Sequence, residues 1–429
     1  MSTVLARNNL CIDDLPLEIL LDIFHRFAQI SNSDFKELLS TQHPRGPQAP
    51  EILSQVCYLW RQLAHTCPTL WTQLVLKANA GKACLGQRQF LTQWFSRSRA
   101  VDLVLTLDPL RVGFQLQDML SLVCAHSSIW RRLRISLPWV GIMSFFLVGT
   151  LHSPQLEELV IECAHSNSPA AAWLYPGHLI VKQGSRKTTI ADCARLRKVS
   201  VALLPSFPLD SLRELLPWSK LTEVIIQKPG AHPDLIQHVF TQCKSLVRLK
   251  IWTAYWRHFN FSMEPSDELR LEHIESFEVT ADLRALVHLL RSVQLPALKS
   301  LTLSGIADYN DEQYPVQPTL ATAFAEFQEH SQFNLLELGV YGLLDFYSTS
   351  GLQLKELLQI LAGNSGLTSL ALECQRREVG ESLLDCVSTG YLVDEGDGQL
   401  QVKLPKLMTI SVSDGERKTT SSERRSSTS

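Results

Sequence analysis

The sequence predicts an α/β chain: a helical N-terminal module followed by a solenoid with a parallel sheet on one face and helices on the other. Three observations lead there. A strand-sized apolar pattern recurs ten times from Trp130 onward, the segments between copies keep helical spacing, and two amphipathic helical runs precede the first copy. A chain of 429 residues exceeds one ordinary compact core, unless that core is a stacked array growing in one dimension. With 45% hydrophobic and 19% charged residues it has enough apolar material to fold.

Each copy of the pattern is an apolar residue, two variable residues, an apolar residue, one variable residue and another apolar residue. It reads Trp130, Leu133, Ile135; Leu156, Leu159, Ile161; Leu196, Val199, Val201; Leu221, Val224, Ile226; and Leu246, Leu249, Ile251. It continues as Ile274, Phe277, Val279; Leu298, Leu301, Leu303; Leu335, Leu338, Val340; Leu367, Leu370, Leu372; and Leu407, Ile410, Val412. Several intervals are about 24 to 28 residues, the range of leucine-rich repeats, in which a short strand alternates with a returning helix or loop. Return segments such as Leu212-Leu215-Leu216, Leu286-Leu289-Leu290 and Leu354-Leu357-Leu358-Leu361 keep helical spacing and are expected behind the sheet. Leu74 to Leu76 and Val101 to Leu107 are earlier strand candidates, and the apolar run Trp139 to Leu151 reads as a buried helix. The asparagine that often follows each strand is replaced by Ala164, Leu204, Ala254, Asp282 and Leu343, so the turns need other hydrogen-bond partners. Longer intervals at His165 to Asp192, Ala307 to Leu320 and Arg376 to Leu404 read as loop insertions. The repeat domain is thus placed at 75–412, with a disordered tail of Ser, Thr, Arg and Glu at 413–429.

Ahead of the array, residues 1–12 read as a flexible N-terminus. Leu15 to Phe24 opens a helix, with Pro16 in the first turn and Glu18 near the positive end of the helix dipole. Ile19, Ile23 and Phe27, with Leu20 and Phe24 beside them, give it one broad apolar face. A second amphipathic run is Leu53, Val56, Cys57, Trp60, Leu63 and Ala64, ended by Cys67-Pro68-Thr69-Leu70-Trp71. So small a helical unit generally needs a partner.

These residues resemble an F-box over about residues 13–74. Leu15-Pro16, Ile19-Leu20 and Ile23-Phe24 match the family's first helix, and Val56-Cys57, Trp60-Arg61 and Leu70-Trp71 match the second and third. The segment 28–50, with Pro44, Pro47 and Pro50, is longer than the usual link and reads as a surface insertion. With Leu-Ser-Gln-Val-Cys and a terminal Leu-Trp, it is similar to the large F-box family of mushroom-forming fungi. The resemblance implies docking on a Skp-type adaptor, and through it a cullin, by Leu15, Pro16, Ile19, Leu20, Ile23, Phe24, Leu53, Val56, Cys57 and Trp60. It implies a substrate-receptor subunit of a ubiquitin ligase, binding an unknown protein substrate through the repeats. The alternative is an interaction scaffold that does not promote ubiquitination.

The variable strand positions form the open face of such a sheet, and their charges alternate from strand to strand. Arg131, Arg132 and Arg134 are followed by Glu157, Glu158 and Glu162, then Arg197 and Lys198, then Glu223, then Arg248 and Lys250. Glu275 and Glu278, Lys299 and Glu337 continue the series. Two readings fit: cross-strand pairs that fix the stacking, or a surface that reads a charge-patterned partner. Neither offers the single-sign field that nucleic acid needs, and the net charge of -3 points the same way. The cluster Trp252, Tyr255, Trp256 and Arg257, before His258, is either core filling at an irregular turn or the substrate contact.

No enzyme is expected. Among thirteen histidines there is no His-Glu-x-x-His pair, and Cys124-Ala125-His126 and Cys163-Ala164-His165 each offer two metal ligands where zinc needs three or four. Phosphate-loop, nucleophile-elbow and dinucleotide fingerprints do not occur, while a Cys/His pair brought together by the fold stays open. Cofactors are not implied. The ten cysteines form no Cys-x-x-Cys pair and read as reduced thiols. Without a signal-like start or an apolar run of the roughly 20 residues that cross a bilayer, a membrane role is not expected. The expected location is the cytoplasm, the nucleus or both.

Overall fold

The computed structural model describes residues 12, 15–33, 49–78, 84–107, 115–137, 142, 145, 152–163, 193–202, 209–227, 233–252, 269–306, 319–344, 354–374, 404 and 406–414. It is an α/β protein of two compact units, residues 1–196 with 215–217, and residues 197–214 with 218–429.

In the first unit, α1 (Leu17–Ser33), α2 (Ala49–Val56), α3 (Tyr58–Thr66) and a 3₁₀ turn (Pro68–Trp71) precede the strands. Strands β1 (Gln73–Ala78), β2 (Val101–Leu107), β3 (Trp130–Leu137) and β4 (Glu158–Cys163) pair in parallel and in chain order, with α4 (Cys84–Arg97) and α5 (Gln115–Ala125) between them. In the second unit β5 (Lys198–Ala202), β6 (Glu223–Gln227), β7 (Arg248–Trp252), β8 (Ser276–Ala281), β9 (Ser300–Gly305), β10 (Glu337–Leu344), β11 (Ser369–Cys374) and β12 (Thr409–Asp414) do the same. Helices α6 (Leu209–Leu215), α7 (Pro233–Gln242), α8 (Leu283–Ser292), α9 (Leu320–Ser331) and α10 (Leu354–Ala362) fall between those strands.

All ten copies of the pattern are strands, and their apolar residues stack in register. Leu249, Phe277, Leu301, Leu338, Leu370 and Ile410 occupy one rung, and Ile251, Val279, Leu303, Val340, Leu372 and Val412 another. Phe277, Leu301, Leu338 and Leu370 are buried, whereas Glu278, Thr302 and Ala371, the next residues on β8, β9 and β11, stay partly open. Period-two alternation thus gives the sheet one core face and one open face. Complete burial of each such side chain contributes about 1.5–3 kcal/mol.

A turn precedes most strands, as in Leu156 N–H to Ser153 O (3.1 Å), Leu196 to Cys193 (3.2 Å), Leu246 to Cys243 (3.3 Å) and Leu367 to Asn364 (3.1 Å). Carbonyls of the preceding repeat then accept two N–H groups each, Arg197 O from Thr222 and Glu223 and Thr222 O from Val247 and Arg248. Among the expected replacement positions, Asp282 caps α8 by accepting from Ala285 N–H at 2.9 Å and Leu343 is buried; Ala164, Leu204 and Ala254 lie outside the described residues. Gly342, at φ +62°, sits in the β10 bulge, where a Cβ added to it would come within 2.7 Å of Gly305 O.

Four boundaries differ from expectation. Helix α1 starts at Leu17, with Pro16 O accepting from Ile19 and Leu20 N–H. The expected insertion 28–50 is shorter at both ends, because α1 runs on to Ser33, and Ala49 and Pro50 are buried in the first turn of α2, where proline costs no hydrogen bond. The expected division between 74 and 75 does not separate two cores. Trp71 donates to Ala64 O (2.6 Å), its carbonyl accepts from Trp94 Nε1 (3.0 Å) and Ser98 Oγ (2.8 Å), and its ring meets Trp94 edge-on at 4.8 Å. The helical module and the first strands therefore share one apolar core. At the far end β12 takes in Ser413 and Asp414, the start of the expected tail, while 415–429 lies outside the described residues. The three long loop insertions also lie almost wholly outside them, as does the Trp139 to Leu151 run apart from Ile142 and Phe145, which are helical and buried. No helix among the described residues is long and apolar enough to cross a membrane.

Candidate protein-interaction surfaces

Helix α1 divides its apolar face in two. Leu20 and Phe24, one turn apart, are buried, and Phe24 packs on Trp60 of α3 with ring centroids 4.8 Å apart. Leu53 of α2 is buried in the same module. On the neighbouring stripe Ile19 and Ile23 are 49% and 36% exposed, and Leu17 and Pro16 are exposed beside them. At the α2–α3 junction Val56, Tyr58 and Leu59 are exposed as well. Cys57 there is extended and caps α3, its sulfur accepting from Trp60 N–H at 3.4 Å. Among the described residues eleven large apolar side chains stand exposed, and seven of them lie between Ile12 and Leu59. That concentration separates this module from the strand region, where the other four are Trp252, Leu336, Met408 and Ile410.

Ten candidate adaptor contacts came from the sequence, and the structure sorts them. Pro16, Ile19, Ile23 and Val56 are exposed, Leu15, Cys57 and Trp60 are half-buried, and Leu20, Phe24 and Leu53 form the core that holds the others in place. Sequence reasoning missed Tyr58 and Leu59, which the helical phase after the Cys57 cap turns outward.

The open sheet face carries the expected charges, mostly consumed by one another. Glu223 receives Lys198 (3.2 Å) from β5 and Arg248 (2.6 Å) from β7. Arg134 pairs with Glu162 (2.6 Å), Lys250 with Glu278 (2.5 Å) and Lys299 with Glu275 (2.8 Å). Burial alone would raise the Glu223 pKa, but the hydrogen bonds from Arg248 and Lys198 outweigh it and hold the carboxyl below its ordinary value. One partner is additional to those expected: Arg131 and Arg132 both bond Asp102 of β2 (2.8 and 2.5 Å), while Arg132 also stands in register beside Glu158 and the charges of Glu157 and Glu158 act on Arg131 and Arg132. Asp102 stands beside Arg132 in register and its side chain is only 12% exposed, so its charge acts strongly on the arginines. Here too burial works against ionisation and the two arginines prevail, so the Asp102 pKa is lowered. Asp102, Gln73, Arg132, Arg134, Glu158 and Val160 line a hollow of about 310 Å³ over this part of the face.

Trp252 ends β7 and is 41% exposed, whereas Tyr255, Trp256 and Arg257, with His258, lie outside the described residues. A Cys/His approach does occur: Thr69 Oγ1 lies 3.2 Å from His25 Nε2 and 3.0 Å from Cys67 Sγ, tying α1 to the 3₁₀ turn. Cys124 and Cys243 are buried, which pushes both thiols up to about 12 and leaves them protonated at neutral pH. His126, paired in sequence with Cys124, stacks on Phe95 at 4.6 Å. Among the described residues no three His, Cys, Asp or Glu side chains are gathered as metal ligands. In comparisons with known proteins, no family model and no curated protein matches the chain.

Proposed function

We propose that this chain is the substrate-receptor subunit of a Skp-cullin-F-box ubiquitin ligase. Its residues 13–74 act as the F-box, docking on a Skp-type adaptor, and its leucine-rich-repeat-like solenoid holds a protein substrate. The observation that carries the reading is the uncovered apolar stripe of α1 with the α2–α3 junction, in a module whose paired motifs resemble the F-box. Apolar side chains held outward by a packed core underneath are what a stable, preorganised docking face requires. Ubiquitin transfer then belongs to the cullin-bound machinery. This chain contributes proximity, turning a bimolecular encounter between substrate and activated ubiquitin into an effectively intramolecular one.

The test is co-purification of the full chain with a Skp-type adaptor and a cullin. Wild type should bring down both, and Leu15→Ala with Pro16→Ala should lose both while its melting temperature stays near wild type. Undiminished adaptor binding by the folded double variant contradicts the F-box reading. Adaptor binding without cullin recruitment makes the chain a scaffold.

A further inference from the structure

Towards the ends of β7 to β10 the open face changes character. Trp252, Thr280, Ser304 and Tyr341 lie on one rung, Trp252 paired with Thr280, Thr280 with Ser304 and Ser304 with Tyr341. Strands about 4.8 Å apart place the two aromatic ends of this rung about 14 Å from each other. Trp252 is exposed and the other three are half-open. On the next rung Gly339 lies beside Thr302, and a Cβ at Gly339 would come within 2.9 Å of Tyr341 Cε2 and 3.1 Å of Thr302 Oγ1. The bare glycine thus lets the tyrosine ring lie down against the sheet. The result is a shallow trough with an aromatic ring at each end and a floor of Thr280, Ser304 and Thr302.

Among the described residues the Thr280, Thr302, Ser304 and Tyr341 hydroxyls and the Trp252 indole have no protein hydrogen-bond partner, although the neighbouring charges are paired, Lys250 with Glu278 and Lys299 with Glu275. We propose that this trough binds an uncharged, proline-rich segment of the substrate in polyproline II form, an inference that rests on reading the open sheet face as the substrate side. Polyproline II makes no internal hydrogen bonds, so its carbonyls are free to accept from the hydroxyls and the indole N–H. Proline rings pack on exposed aromatic faces, the mode by which aromatic-lined grooves take such segments. At 3.1 Å per residue, a span of about 14 Å holds four to five residues. A charged segment would have to compete with Lys250–Glu278 and Lys299–Glu275, so the spent charges favour a neutral occupant.

The experiment titrates full-length protein into a fluorophore-labelled, end-blocked decaproline peptide and follows anisotropy, with Gly-Ser and Glu-rich decapeptides as controls. Saturable binding is expected for decaproline alone, weakened about tenfold by Trp252→Ala and several-fold by Tyr341→Ala. Gly339→Ala, which lifts the Tyr341 ring, should weaken it too, whereas Lys299→Ala should not. The proposal is overturned by no saturable decaproline binding, by equal binding of either control, or by indifference to Trp252→Ala in a protein with unchanged melting temperature. Adaptor binding measured on the same samples keeps the two readings apart. If it persists while decaproline fails, only the trough falls; if it fails while decaproline binds, only the receptor reading falls.

Discussion

The N-terminal helices and the sheet face present opposite surfaces. Around α1 apolar residues face outward, with Ile19 and Ile23 uncovered above a buried Leu20 and Phe24. Along the strands most apolar residues face inward and most outward charges are paired, Glu223 between Lys198 and Arg248 and Asp102 between Arg131 and Arg132. A surface that has already satisfied its charges gains little from a charged partner, whereas an uncovered apolar stripe gains area from any complementary one. The lesson is that abundant charge does not locate a binding site; what a surface leaves unsatisfied does.

The comparison breaks first if the two stripes of α1 behave alike. Phe24→Ala should destabilise the protein by about 3–5 kcal/mol, because it empties a filled position against Trp60, readable by urea melts. Ile19→Ala with Ile23→Ala should cost under about 1 kcal/mol of stability yet weaken adaptor binding about a hundredfold, read by titration. Equal stability losses for the two variants would erase the distinction between core and docking stripe.

On the sheet, Asp102→Ala should cost about 1–2 kcal/mol, since it leaves two arginines without their shared acceptor. The same carboxylate predicts a pH dependence. Its folded pKa lies below the unfolded value of about 3.9, so its contribution is complete above that pH and is lost as pH falls through the folded value. Melting temperatures of wild type and Asp102→Asn should therefore converge in acid.

The smallest effect concerns Glu223 and Arg248. A double-mutant cycle of Glu223→Gln and Arg248→Gln should give a coupling of about 0.3–1 kcal/mol at low salt that shrinks as salt is raised. Zero coupling at low salt would make the alternation ornamental.

The repeat array was legible because its signal is redundant. Each strand repeats the same apolar spacing, so Leu249, Phe277 and Leu301 identify one another even where the return segments vary. Local chemistry that depends on where the chain turns was not. Asp102 lies outside the alternating series, and register places Arg132 between it and Glu158, so only the side-chain packing shows that both arginines bond to Asp102. Cys193 and Cys243 read as scattered thiols, although each begins the turn three residues before a repeat's first leucine, a spacing that could have been found. For the candidate docking face, the residue types were legible and their exposure was not. Ile19 and Leu20 are equally apolar neighbours, and only the packing of α2 and α3 decides which one faces outward.

The central claim is tested most directly by calorimetric titration of the purified full chain with a Skp-type adaptor at several temperatures. Docking through the apolar stripe predicts a one-to-one complex with a negative heat-capacity change, little salt dependence, and loss of that signal in Ile19→Ala with Ile23→Ala. No complex, or one whose heat-capacity change is near zero and whose affinity falls steeply with salt, would contradict the account.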